Sequence, residues 1–175
     1  MHEIAYTVRG FLIVRRNSLR VPLHGSLTLQ VDRDSGLFGG DLALQPSTVS
    51  RTVLGASLFT STVQITADSP VIGRVDREGQ VFAAVTVDAV IAAHAGGRTL
   101  ISGDSCRTST NAVIPLRSKP GFDLDRGGRL VGIYRRPPFT GCGWMTPLVN
   151  LLIAGPGNAV VTDLIPRTAA GQDAP

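Results

Sequence analysis

GSLTLQVDRDSGLFGGDLAL, residues 25–44, is the stretch whose reading decides the fold class. Leu27, Leu29 and Val31 alternate with Ser26, Thr28 and Gln30, the period of two that a strand shows when one face is buried. Asp32, Arg33, Asp34, Ser35 and Gly36 then supply turn residues, and the alternation resumes over residues 41–44, so the stretch predicts a hairpin. Two carboxylates at alternate positions in DRDSG invite a calcium reading. The longer ligand series of a calcium-binding helical loop, ending in Glu, is missing, and a turn with solvated Asp side chains is predicted instead.

Moving outward, a second hairpin of the same kind is expected where residues 71–75 and 80–87 flank Asp76, Arg77, Glu78 and Gly79. The likeness hints at an internal duplication, although turn chemistry by itself produces it. Upstream, residues 3–9 alternate and residues 11–15 read as the same strand bent at Gly10, followed by a turn at Asn17 and Ser18. Downstream, an indistinct passage to Gly55 leads to a strand over 58–67. Ala83 and Ala84 leave room against the 80–87 strand, and residues 89–95 suit either more strand or a helical turn. Further strands are expected over 98–102, 106–116 (with Pro115 marking an edge or strand end), 130–134 and 159–165.

These nine or ten strands are joined by tight turns, and the helices that parallel crossovers require are missing, so the sheet is predicted to be antiparallel. A mainly β fold follows: a strongly curved sheet, barrel or half-barrel, with a two-sheet sandwich as the alternative. Residues 1–165 form one domain in this reading and residues 166–175 a frayed tail.

One short helix is written near the C-terminus, in GCGWMTPLVNLLIAGPGN, residues 141–158. Thr146 suits the N-cap, Pro147 the first helical position, and Gly155 with Pro156 the stop, giving a helix over 147–153. Trp144, Leu148, Leu151 and Leu152 form an apolar stripe, expected to lie against the concave side of the sheet. Phe139, Trp144, Met145, Leu148 and Leu152 are accordingly read as core beneath the helix or as the lining of an apolar ligand site between sheet and helix.

Composition narrows the function classes. Basic charge comes from 16 Arg and one Lys, Lys119, and aromatic residues make up 5%, which does not suit a face of interleaved aromatic and basic residues; no nucleic-acid partner is expected. Arg9, Arg15, Arg16 and Arg20 oppose only Glu3 in the first twenty residues, which fits either a solvated strand face or contact with an anionic membrane surface. No apolar run nears the roughly 20 residues of a membrane-spanning helix, so a soluble chain is predicted; the opening residues do not read as a signal peptide. His2, His24 and His94 have no partner at metal or catalytic spacing, and the sequence has neither GxSxG nor a phosphate loop. No metal, cofactor or catalytic residue is assigned; a triad assembled by the fold, of which Ser105, His94 and Asp88 are one example, is disfavoured because the sequence offers no such constellation. Cys106 and Cys142 are either two buried thiols or a disulfide. A bridge closing 36 residues is worth about 4 kcal/mol by loop entropy.

CRTST and AVIPL (within 106–116), PGF (120–122), GGRLVGIYRRPPF (127–139), GCG and PLVNLLIAGPGN, in that order, resemble a family of exported or envelope-associated actinobacterial proteins. The resemblance covers about seventy residues of the C-terminal half, and it implies an extracytoplasmic domain in which Cys106 and Cys142 are paired. It carries no catalytic residues. The sequence thus predicts a non-enzymatic exported or cell-envelope domain that binds an apolar or amphiphilic, lipid-like ligand between sheet and helix. A structural or protein-interaction domain of the envelope is the alternative and a hydrolase the third reading; a cytoplasmic location is the alternative compartment.

Overall fold

The alternation of residues 25–44 builds the hairpin it predicts. Leu19–Val31 (β2) pairs antiparallel with Leu37–Leu44 (β3), setting Leu27 opposite Leu42 and Leu29 opposite Gly40. The computed structural model describes residues 1–53 and 56–167. Around this hairpin it places β1 (His2–Val14), β4 (Ser47–Val53), β5 (Ala56–Ala67), β6 (Val71–Val75), β7 (Val81–Ala95), β8 (Arg98–Ile101), β9 (Arg107–Thr108), β10 (Ala112–Ser118), β11 (Gly128–Arg136), β12 (Phe139–Thr140) and β13 (Gly155–Pro166), with one helix, α1 (Thr146–Ile153).

Eight of these strands form a closed antiparallel barrel in the order β1, β2, β3, β6, β7, β10, β11, β13 and back to β1. Closure satisfies the backbone at what would otherwise be two sheet edges. Val81, Ala83, Val85 and Val87 of β7 point inward and are buried, whereas Phe82 between them stays exposed. The bend expected at Gly10 falls within the continuous β1: a Cβ there would sit 2.1 Å from the Val161 carbonyl oxygen of β13. Gly132 on β11 likewise admits the Pro115 carbonyl to 2.1 Å of where a Cβ would stand. Such close backbone approaches let strands coil tightly enough to close a small barrel.

Several elements differ from the sequence reading, each for a local reason. β4 fills part of the passage read as indistinct, and residues 89–95 continue β7 as strand, paired with β5. The stretch read as one strand over 106–116 is two, β9 and β10, which pair with different halves of β7. Pro115 is inside a barrel strand, not at its end, and faces Ala84; the β10 to β11 ladder forms only at Arg117 and Ser118, so the missing N–H breaks no pairing there. Pro166 and Arg167 belong to the fold and not to a tail, because β13 runs to Pro166 and Arg167 N–H donates to the Ala5 carbonyl at 2.8 Å; residues 168–175 lie outside those described.

The largest correction concerns the helix. α1 forms where expected and ends at Ile153, with Ala154 as its C-cap and Gly155, at φ +121°, opening β13. Its N-cap is Met145, however, and the Thr146 hydroxyl donates to the Gly143 carbonyl at 2.8 Å. Nor does α1 occupy a concave side: an eight-stranded closed barrel has room inside for side chains and none for a helix. α1 sits outside, held to β12 by Asn150, whose side chain accepts from Phe139 N–H at 2.6 Å and donates to its carbonyl at 2.9 Å.

Cys106 and Cys142 are bridged, with Cα atoms 4.3 Å apart. The bridge fastens the loop before β9 to the loop before α1, and the Ser105 hydroxyl donates to the Gly141 carbonyl beside it at 2.9 Å. Cys142→Ser is expected to lower stability by about 4 kcal/mol, measured by urea unfolding. Equal midpoints for the oxidised and Ser-substituted chains would show that the outer segment is held without the bridge.

Candidate functional site

Inward alternation on eight strands makes the barrel lumen an apolar chamber. Leu27 and Leu29 from β2, Val85 and Val87 from β7 and Ile114 from β10 project into it. Small residues leave it incompletely filled: Ala83, Ala89 and Ala112 line a cavity of about 80 Å³. The room that Ala83 suggested in the sequence is therefore inside the barrel.

One end of the lumen is plugged. The loop 119–127 between β10 and β11 turns inward, so that Phe122 and Leu124 line the cavity. Three bonds hold the plug: Tyr6 donates its hydroxyl to the Leu124 carbonyl, Gly127 N–H donates to the Asp123 carbonyl at 2.6 Å, and Arg33 pairs with Asp125 at 2.7 Å. An open depression of about 340 Å³ beside the plug is bordered by Arg33, Asp123 and Asp125, of which Arg33 and Asp125 already neutralise each other.

The opposite end carries the polar chemistry. Thr108 there, and Thr162 nearer the plug opposite Leu130, line the lumen with their hydroxyls engaged, Thr108 donating to the Asp88 carboxylate and Thr162 to the Arg9 carbonyl at 3.3 Å. Arg136 and Tyr134, two apart on β11, share its inner face and are 6% and 5% exposed. Arg136 Nη2 donates to the Tyr134 hydroxyl at 2.5 Å, and its guanidinium carbon stands 5.7 Å from the Tyr134 ring centroid, within cation–π range. Among the described residues the arginine ion pairs are those of Arg33, Arg107 and Arg129, so Arg136 has no carboxylate partner.

The residues singled out from sequence fall elsewhere. None of Phe139, Trp144, Met145, Leu148 and Leu152 lines the lumen. Phe139 and Met145 are buried in the core, whereas Trp144 is 77% exposed and Leu148 and Leu152 are also exposed. The stripe faces solvent because α1 buries Val149 instead. Ser105, His94 and Asp88 do not assemble: Ser105 donates to Gly141, His94 lies 3.3 Å from the Thr99 hydroxyl, and Asp88 engages Thr108 and Arg107. Sequence reasoning did not single out Arg136 and Tyr134 as site residues; the spacing of two in a strand was the available signal that both share a face.

Tyr6 supplies a pH test of the plug. Burial, with Asp125 and Asp123 nearby, pushes its hydroxyl from 10.0 to about 12. A pKa raised in the fold favours the neutral form, so this contribution is complete below pH 10 and is lost as pH rises towards 12. About 2 to 3 kcal/mol should disappear across that window. Tyr6→Phe should start less stable at neutral pH and show a shallower alkaline decline in denaturant titrations at stepped pH; an unchanged decline would place the titration elsewhere.

Comparisons with family profiles, curated proteins and solved structures find no match, so the assignment of function rests on the barrel's own chemistry.

Proposed function

We propose that the protein is a non-enzymatic binding domain, exported or of the cell envelope, whose barrel lumen takes the apolar part of a small apolar or amphiphilic ligand. The observation that carries this reading is the lumen itself: an apolar chamber, plugged at one end, that its own side chains leave partly empty. A cavity of this kind stays dry and takes up small apolar molecules, since water inside would lack polar partners. At about 80 Å³ it is smaller than the roughly 150 Å³ that admits benzene, so the site moves from the sheet and helix interface to the lumen and its occupant shrinks from a lipid to a short chain. The disulfide supports an oxidising compartment, in keeping with the resemblance of the C-terminal half to exported proteins.

The test is methyl NMR of the full chain titrated with 1-butanol. Shifts should concentrate on Val85, Val87 and Ile114. Ala83→Leu, which adds carbon where the cavity lies, should retain the fold and abolish them. An unaltered chain whose lumen methyls do not move would defeat the reading.

A second reading, an interaction domain of the envelope, is favoured by α1. Trp144, Leu148, Leu151 and Leu152 are all exposed beside Arg16, which donates to the Leu151 carbonyl at 2.6 Å, and the exposed Arg15. α1 has no acidic residue, and an apolar helical face with flanking arginines suits the surface of an anionic bilayer. Trp144 is the chain's single tryptophan, so its emission reports contact directly. Vesicles rich in phosphatidylglycerol should shift it to the blue and phosphatidylcholine vesicles should not; no shift with either would remove the membrane from this reading.

A further inference from the structure

Arg136 is out of place in a chamber built to bind hydrocarbon. Its backbone stands at the end of β11 opposite Gly155, where the barrel opens towards the segment carrying α1, and its side chain is turned to the inner face and is 6% exposed. Burying a guanidinium is unfavourable unless an anion or a full set of acceptors meets it. Here the hydrogen-bonding protein partner is the Tyr134 hydroxyl.

The hydrogen-bond accounts of the two groups leave matching vacancies. A guanidinium has five N–H donors, and the bond to Tyr134 uses one of them. No fully buried side-chain nitrogen or oxygen among the described residues lacks a partner, so the remaining donors of Arg136 reach accessible space. Arg136 and Tyr134 both line the lumen cavity, whose surface is almost wholly apolar, and Arg136 stands at the barrel end opposite Gly155, so the free donors open at the mouth of the chamber and not into its body. Tyr134 accepts from Arg136, and its own O–H proton has no acceptor among the described residues. A planar anion with two oxygens fits both: a fork of guanidinium donors and a phenolic O–H, with apolar side chains beyond for a tail.

We infer that Arg136 and Tyr134 form the head-group site of the lumen and that the ligand is a short-chain monocarboxylate, its carboxylate on the guanidinium and its alkyl tail among Val85, Val87 and Ile114. The inference rests on the lumen-binding reading and adds the ligand's chemical class to it. Cavity size sets the tail: about half the volume that admits benzene leaves space for roughly three or four carbons. Polar groups further along the wall do not compete for the head, because the Thr108 and Thr162 hydroxyls are already donating to protein acceptors.

The experiment compares butyrate with butyramide, which has the same shape and no charge, by calorimetry and methyl NMR on the full chain. Butyrate should bind at least tenfold more tightly. Arg136→Gln should erase that preference, and Tyr134→Phe should reduce it severalfold. The comparison on the unaltered chain needs no variant and decides the matter even if Arg136→Gln does not fold. Equal binding of the two compounds, or a preference that survives in Arg136→Gln, would overturn the carboxylate assignment and leave the lumen reading standing. Binding of neither compound, with 1-butanol also silent, would overturn both.

Discussion

Pairing of β7 with β10 is the contact on which the rest of the structure depends. It joins Val87 to Ala112 and Phe82 to Arg117, and turns a row of eight strands into a closed ring. Without it β7 and β10 would each present unpaired backbone, and the inward row of Val81, Ala83, Val85 and Val87 would face water. Closure is reinforced where the strands meet at the plugged end: Ser118 accepts from Val81 N–H at 3.0 Å, which employs a buried hydroxyl beside a backbone donor.

β7 does more than complete the ring. At 15 residues it extends for about 50 Å, far past the rim of its barrel partners. Its first half is a barrel strand held by β6 and β10; its second half leaves the ring and pairs with β5, β8 and β9. That outer sheet supports the disulfide, since Ile91 N–H donates to the Cys106 carbonyl at 2.9 Å, and the disulfide in turn fixes the segment from which α1 starts. The helix is therefore a passenger of the outer sheet, and the lumen is free of it.

The same division explains why the two candidate surfaces differ in chemistry. Inside the barrel, alternation forces every second side chain into an apolar space, so a charge there, as at Arg136, must be met by a specific partner. Outside, α1 lies against solvent, where exposed Leu148 and Leu151 cost little to the fold but create an apolar face.

Much of the fold was legible from residues alone. Strict alternation over 25–31 and 80–87 specified strands with one buried face, Asp-to-Gly turns specified both hairpins, and the lack of crossover helices specified an antiparallel sheet. Both turns use the same device, an Asp side chain accepting from the backbone N–H two residues on, at Asp32 and Asp76. Local hydrogen bonding of this kind is encoded by neighbours in the chain, as are the limits of α1 between Pro147 and Gly155. What tertiary structure decided was which face met which. Alternation says that Leu27 and Leu29 are buried but not against what, and only ring closure placed them around a lumen. The apolar stripe of α1 carries the same periodicity whether buried or exposed, and it was left in solvent because a closed eight-stranded barrel has no room inside for a helix. Tyr134 and Arg136 were assigned to the inside by the register of β11 against β13, a long-range pairing that their local sequence, YRR, does not contain.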